Sequence, residues 1–530
     1  MPAFGKCLRL LWSRKRNGLQ WRRPILHDEA HQRPEKRKEF LIADMSYFCA
    51  LITLAFVFAL APGAKKAEAR QNTQAPAPKA TAGSTLEGVW EGALDVGAMK
   101  ARLALKVTKA ADGALAAKLD GVDQGATDLP MDVISLKDDA VHFEMKRLPV
   151  AFDGTLNKEG SEIAGQFNRG GASFPLILKR VAKPTALNRP QEPKPPYPYD
   201  EEEVSYENKR DGVKLAGTLT LPRGKSTFPA VILITGSGAQ NRNEELLGHK
   251  PFLVLADYLT RQGVAVLRVD DRGVGGSTGS VSNSTSENFG TDVLAGIEFL
   301  KGRKEVNPKQ IGLIGHSEGG LIAPMVAAQS NDVAFIVLLA GPGLPGEEIL
   351  YLQSALILKS SGASAKAMAR QRATQEMIFT ILKQEKDNAV VEKKLREEFD
   401  KRVAGASEAD KTKAKQAAEA QIKQALSPWF RYFLTCDPRS ALAKVRCPVL
   451  ALNGENDMQV PVTENLREIE STLKSAGNKD VTIVRMPRLN HLFQTSETGS
   501  PSEYGKIEET FAPIALKTIG DWILKHATGQ

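Results

Sequence analysis

Gly315-His316-Ser317-Glu318-Gly319 lies where an apolar, strand-like run, residues 310–314, gives way to a small-residue helical run, residues 319–329. A serine on such a strand-to-helix turn presents its hydroxyl at the end of a sheet, provided the residues two before and two after it let the two backbones approach. Gly315 and Gly319 meet that condition. The pattern G-x-S-x-G is weak alone, because glycine supplies 44 of the 530 residues and chance matches arise. Gly275-Gly276-Ser277-Thr278-Gly279 is such a match. The preceding strand has already ended at Asp270 and a polar stretch, 280–288, follows, so this second match reads as a glycine-rich loop.

Outward from the elbow, apolar runs at 230–234, 264–269, 311–314, 334–339, 449–452 and 481–484 alternate with helical patterns, after an opening antiparallel pair at 204–206 and 215–221. Continuous Val/Ile/Leu runs separated by helices imply an α/β domain, residues 201–530, with a mostly parallel sheet covered on both faces. The alternation breaks over residues 345–438, which are charged and rich in Ala, Lys, Glu and Gln, with helical periodicity and almost no strand signal. Set between two sheet strands, this segment reads as a helical cap, and Trp429, Phe430, Tyr432 and Phe433 near its end need something to cover. The competing reading is a solvated helical excursion with no role at the site.

A serine hydroxyl is a poor nucleophile at neutral pH and needs an adjacent base, held in its tautomer by a carboxylate. After the run 449–452 comes Asn453-Gly454-Glu455-Asn456-Asp457, and after 481–484 comes Leu489-Asn490-His491. Both place a candidate on a loop at the carboxyl end of a strand. Glu455 competes with Asp457 for the acid, and His316 competes with His491 for the base, although a ring next to the serine in the turn cannot easily face its oxygen.

From about residue 204 to 527 the chain resembles the α/β-hydrolase superfamily, and within it bacterial carboxylesterases related to dienelactone hydrolases and to the catalytic domain of prolyl oligopeptidases. The resemblance implies Ser317 as nucleophile, Asp457 as acid and His491 as base, in the chain order of that fold. It also implies that Thr235-Gly236-Ser237-Gly238-Ala239-Gln240 carries the oxyanion loop, with the backbone N–H groups of Ser237 and Glu318 as donors. Thr235 departs from the usual His at that place. A carboxylate on Glu318 would oppose the developing negative charge, so it is expected either to pair with Arg242 or Arg272 or to be solvated while those arginines serve the structure. Asp271-Arg272-Gly273 reads as a loop-shaping motif.

Residues 84–181 precede this domain as short alternating runs (102–107, 141–145, 174–178) broken at Asp112-Gly113, Asp120-Gly121 and Asp153-Gly154, which reads as a small antiparallel β-barrel joined by tight turns. Gly88-Val89-Trp90-Glu91-Gly92, Gln124-Gly125 and Gly170-Gly171 resemble the lipocalin-like β domain that precedes some bacterial serine hydrolases. Six prolines between Pro184 and Pro198 make residues 182–200 an extended, semi-stiff spacer, and residues 70–83 a flexible linker.

The formal charge of +9 is concentrated at the start: residues 1–44 carry 11 Lys/Arg against 5 Asp/Glu, leaving +3 downstream and little support for a nucleic-acid partner. Within residues 1–69, the apolar run 47–61 follows Lys36-Arg37-Lys38 and precedes Ala67-Glu68-Ala69, the order of a secretory signal, with an uncleaved anchor as the alternative. Fifteen residues are short for a bilayer span. This implies a periplasmic or secreted protein without stable membrane insertion after processing. Cys7 and Cys49 would be lost on export, and Cys436 and Cys447 read as free buried thiols, with a disulfide as the alternative. The seven histidines show no ligand spacing, so no metal or other cofactor is implied.

The expectation is a serine carboxylesterase acting on small or medium acyl esters. A peptidase or amidase of the same fold is the alternative, and a non-catalytic lipid- or glycan-binding protein is the reading from another class. The sequence sets no oligomeric state.

Overall fold

The computed structural model of the protein describes residues 85–95, 100–122, 126–146, 150–169, 172–224 and 227–528. The expected signal segment, the first linker, Cys7, Cys49, Gln124-Gly125 and Gly170-Gly171 lie outside them. Two sheets organise the rest.

The first sheet holds β1 (Gly88–Asp95), β2 (Lys100–Lys109), β3 (Leu115–Gly121), β4 (Ala126–Pro130), β5 (Val133–Lys137), β6 (Ala140–Met145), β7 (Val150–Leu156), β8 (Glu162–Arg169) and β9 (Ala172–Val181). Its order is β4-β3-β2-β1-β9-β8-β7-β6-β5, and its ladders are antiparallel. Among the described residues no ladder joins β4 to β5, so the sheet is an open half-barrel where a closed small barrel was expected. Trp90 is fully buried within it, donates its indole N–H to the Leu86 carbonyl at 2.8 Å and lies 4.1 Å under the Arg180 guanidinium.

Two of the three expected turns fall inside strands. Asp112-Gly113 does turn between β2 and β3. Asp120-Gly121, however, belongs to β3, where the buried Asp120 carboxylate pairs with Lys106 at 2.7 Å and accepts the Asp128 N–H at 2.7 Å. Asp153-Gly154 belongs to β7, where Gly154 faces Gly165 across the ladder and a Cβ would sit 2.6 Å from the Phe152 ring. There the glycines make room for an aromatic side chain.

The proline-rich spacer is docked along its length. Arg189 donates to the carbonyls of Leu247 and Gly505, Gln191 bonds the backbone of Thr510 and Phe511, and Tyr199 is buried with its hydroxyl on Asp257 at 2.9 Å.

The second sheet holds β10 (Asp200–Asn208), β11 (Val213–Leu221), β12 (Phe228–Ile234), β13 (Ala265–Val269), β14 (Val306–His316), β15 (Phe335–Leu339), β16 (Val449–Gly454) and β17 (Val481–Met486), in the order β10-β11-β13-β12-β14-β15-β16-β17. The sheet is mixed: β11 pairs antiparallel with β10 and β13, and the pairings from β13 through β17 are parallel. Alternate residues of the buried strands enter opposite cores. Ile232 and Ile234 join Val293, Ile297 and Ile322 of the helices Ser286–Lys301 and Glu318–Ala327, whereas Val231 and Leu233 join Leu255, Leu259 and Ile519 of Pro251–Arg261 and Pro513–Thr528.

Between β15 and β16 the chain forms the helices Gly346–Ser360, Ala365–Gln384, Asn388–Val403, Glu408–Ala425, Pro428–Thr435 and Arg439–Leu442. The apolar faces of the first five share one cluster, including Phe379, Leu395 and Phe430, that reaches Leu321 and Val460 beside the sheet, whereas Leu442 of the last joins the core that holds Ile232. Among the described residues no helix is long and apolar enough to cross a membrane. Cys436 and Cys447 are free and half-buried, and burial pushes their thiols up to about 11 and about 12.

Candidate active site

Ser317 sits between β14 and the helix Glu318–Ala327 at φ 52° and ψ −115°, a left-handed conformation that costs a non-glycine residue on the order of 1–3 kcal/mol. The flanking glycines make it possible: a Cβ at Gly315 would run into the Gly319 carbonyl, and one at Gly319 into the Ile234 carbonyl. The Ser317 N–H is tied to the Leu339 carbonyl of the neighbouring strand at 2.8 Å. Its side chain remains half-exposed while His316 and Glu318 are buried.

The His491 Nδ1 lies 2.8 Å from the Asp457 Oδ2, and both residues are buried. The other oxygen, Asp457 Oδ1, accepts the N–H groups of Gln459 and Val460 at 2.7 and 2.9 Å, so the acceptor-only carboxylate leaves the His491 Nδ1 as donor and Nε2 free to act as base. Glu455, the rival acid, is exposed and 3.7 Å from Arg485.

His316, the rival base, is committed elsewhere. Its Nδ1 is 2.9 Å from the Glu244 carboxylate and its Nε2 is 2.9 Å from the His491 carbonyl. Burial opposes a charge on this ring, but Glu244 outweighs it and raises the pKa, and two acceptors facing two ring nitrogens describe an imidazolium. Glu244 also accepts the Gly236 N–H at 2.6 Å, so the pair braces the loop of Ser237 and the backbone of His491 together.

Glu318 is neither solvated nor paired with arginine. Its buried carboxylate accepts the Ser286 hydroxyl at 2.6 Å, the Trp429 indole N–H at 2.8 Å and the Ser237 hydroxyl. Burial raises its pKa, and these donors hold the rise in check. Arg242 is occupied by Asp270 and Glu203, and Arg272 by Asp292 and Asp211. The Thr235 hydroxyl donates to Asp271 at 2.7 Å, and the same carboxylate takes the Gln240 N–H at 2.9 Å, so the departure at 235 shapes the loop that carries Ser237. Ser277 is buried in the other glycine-rich stretch, where its hydroxyl donates to the Asp270 carbonyl at 2.8 Å and accepts the Ala216 N–H at 2.9 Å.

Ser317, His491, Gly236 and Ser237 line one cavity of about 140 Å³, with Trp429 and Phe433 of the helical segment on its wall. Those two rings stack with centroids 5.2 Å apart. Among the described residues no group of three or more His, Cys, Asp or Glu side chains could hold a metal ion.

The family model for X-Pro dipeptidyl-peptidases, the S15 family, matches residues 211–483, a span that contains Ser317 and Asp457 and ends before His491. The chain belongs to the S15 family. It is a serine hydrolase of α/β fold. Esterase EstD of Thermotoga maritima is 28% identical over 367 residues, covering 68% of this chain and 78% of its own. The uncharacterized peptidase YuxL of Bacillus subtilis is 23% identical over 344 residues, 61% of this chain and 39% of its own. Among solved structures, an esterase of Pyrococcus furiosus aligns over 64% of this chain and 97% of its own, at 17% identity and a TM-score of 0.37.

Proposed function

We propose that this S15-family chain is an exported carboxylesterase working through Ser317, His491 and Asp457. The observation that carries the reading is a serine held in a left-handed turn and lining the same cavity as a histidine whose Nδ1 is fixed by a buried carboxylate. Ser317 Oγ attacks the ester carbonyl as His491 Nε2 takes its proton, and the backbone N–H groups of Ser237 and Glu318 receive the developing oxyanion. His491 returns the proton to the leaving alcohol. A water, deprotonated in the same way, then releases the acid from the acyl-enzyme.

The esterase-named relative supports ester over amide. The peptidase description of the family keeps amide hydrolysis as a second reading. The lipocalin-like reading of the first domain rests on the Gly88-Val89-Trp90-Glu91-Gly92 stretch, whose Trp90 is buried in the antiparallel half-barrel.

The test is ester hydrolysis and fluorophosphonate labelling of the wild type against Ser317→Ala, with aryl esters and dipeptidyl arylamides compared side by side. Turnover should fall on the order of 10⁶-fold and labelling should vanish. Ser277→Ala should keep most of both, since that hydroxyl is spent on backbone groups. Equal losses in the two variants would place the nucleophile elsewhere, and faster arylamide cleavage would favour the peptidase.

Export rests on the basic, apolar and Ala-Glu-Ala order of residues 36–69. The mature chain is expected to begin near Arg70. N-terminal sequencing that still read through residues 47–61 would exclude it.

A further inference from the structure

The wall that the helical segment gives to the Ser317 cavity is unexpectedly polar. Gln353, Ser354, Gln371, Gln375 and Gln424 line it, and Gln459 joins them from the loop of Asp457. Most of these amides have work within the protein. Gln375 donates to the Leu350 carbonyl at 3.2 Å, Gln353 donates to Gln459 at 3.3 Å, and Gln459 donates to the Tyr504 hydroxyl at 3.2 Å.

Two groups do not. Gln371 is 7% exposed and Ser354 is 4% exposed, yet the Gln371 Nε2 and the Ser354 Oγ have no hydrogen-bond partner. They come from the adjacent helices Ala365–Gln384 and Gly346–Ser360. A buried polar group left unpaired forfeits its hydration without return, so a pocket for a plain alkyl chain would be better served by leucine and alanine at these places. The helical side of the wall also carries no charged side chain of its own. No Lys or Arg lines the cavity among the described residues, and its two carboxylates are engaged, Glu244 with His316 and Glu318 with Ser286 and Trp429.

From this juxtaposition we infer that the wall formed by Gln371 and Ser354 is a specificity subsite for a neutral oxygen-bearing substituent of the ester, such as a hydroxyl, ether or amide carbonyl group. The inference rests on the carboxylesterase reading and adds the substrate class to it. A hydroxyl oxygen accepts the amide N–H that Gln371 presents, and a Ser354 hydroxyl can donate or accept as the ligand requires. An anionic substituent would lose its hydration with no unpaired cation to replace it, and a cationic one would find both carboxylates already taken by donors of the protein. An alkyl substituent would leave both protein groups as they are, unpaired. Sites built to hydrogen-bond a substrate group reject analogues lacking it more sharply than apolar pockets reject an added group.

The experiment uses the full chain and two matched pairs of esters of equal length. One pair carries a terminal methyl or a terminal hydroxyl on the acyl side, and the other carries them on the alcohol side. Wild type should favour the hydroxylated member of at least one pair by about 10-fold or more in kcat/KM, and Gln371→Leu and Ser354→Ala should each erase most of that ratio. The alkyl member should be turned over by the variants at least as well as by wild type, with fluorophosphonate still labelling Ser317. Wild type preferring the alkyl member of both pairs would overturn the subsite, without need of any variant. So would folded, labelled variants with an unchanged ratio. Absence of labelling and of turnover for every ester would overturn the carboxylesterase reading itself, and the subsite with it.

Discussion

Ser317 holds a backbone conformation that a serine avoids, and the surrounding residues over-determine it: glycines on both sides, and a strand carbonyl on its N–H. The elbow and the candidate acid and base could be picked out in the sequence because each follows an apolar run at a fixed chain order. The charge partners around them were not legible. Glu244 and His316 are 72 residues apart, and Glu318 and Trp429 are 111 apart, so no local pattern joins them. The Glu318 contact has a consequence for Trp429. The indole N–H donates to both carboxylate oxygens at 2.8 Å inside the protein, and Phe at 429 keeps most of the ring area but removes that donor. Trp429→Phe should therefore cost about 1–3 kcal/mol of stability. The check is the urea midpoint of the variant. A midpoint unchanged from wild type would mean that Ser286 and Ser237 suffice to hold the carboxylate.

At the scale of elements, runs of Val, Ile and Leu located the strands of the second sheet well, because strands buried on both faces leave little alternative reading. The first sheet was harder. Asp-Gly reads as a turn when flanked by alternating residues. Yet Asp120 is buried against Lys106, and Gly154 clears space for Phe152, so the same dipeptide served an ion pair once and packing once. Lys106 lies on the neighbouring strand, and Phe152, although it directly precedes the dipeptide, gives no sign in the sequence that its ring folds over Gly154. The helical segment was visible as an insertion, but its inward faces were only half visible. In Ala365–Gln384 the buried positions Gln371, Gln375, Ile378, Phe379 and Leu382 follow helical spacing, with glutamines continuing the apolar stripe. A stripe that turns polar while keeping its period is the signal that could have marked Gln371. Composition alone, rich in Ala, Lys, Glu and Gln, hides it among solvent-facing residues.

For the whole molecule, the decisive feature is that the first sheet closes its own core, from Leu86 to Leu178, apart from the clusters of the second sheet. With two cores in one chain, unfolding is expected in more than one calorimetric transition. Acid should act on the second core through His249. That residue is buried between Thr510, at 2.8 Å from Nδ1, and the Tyr504 carbonyl, at 3.0 Å from Nε2, tying the loop after β12 to the C-terminal loops. Burial first, and the charge of Arg189 second, lower its pKa from 6.5 to about 4. Above pH 6.5 the ring is neutral both folded and unfolded, and its contribution is complete. As the pH falls from 6.5 towards 4 the unfolded chain takes up a proton that the folded one refuses, so stability is lost across that window, by about 3 kcal/mol at its end. Thermal unfolding followed by calorimetry between pH 7 and pH 4 should show the transition that abolishes ester hydrolysis moving to lower temperature. In His249→Gln, a side chain that cannot titrate there, the same transition should start lower and move less. Equal pH slopes in the two proteins would show that His249 is not the group through which acid loosens the hydrolase domain.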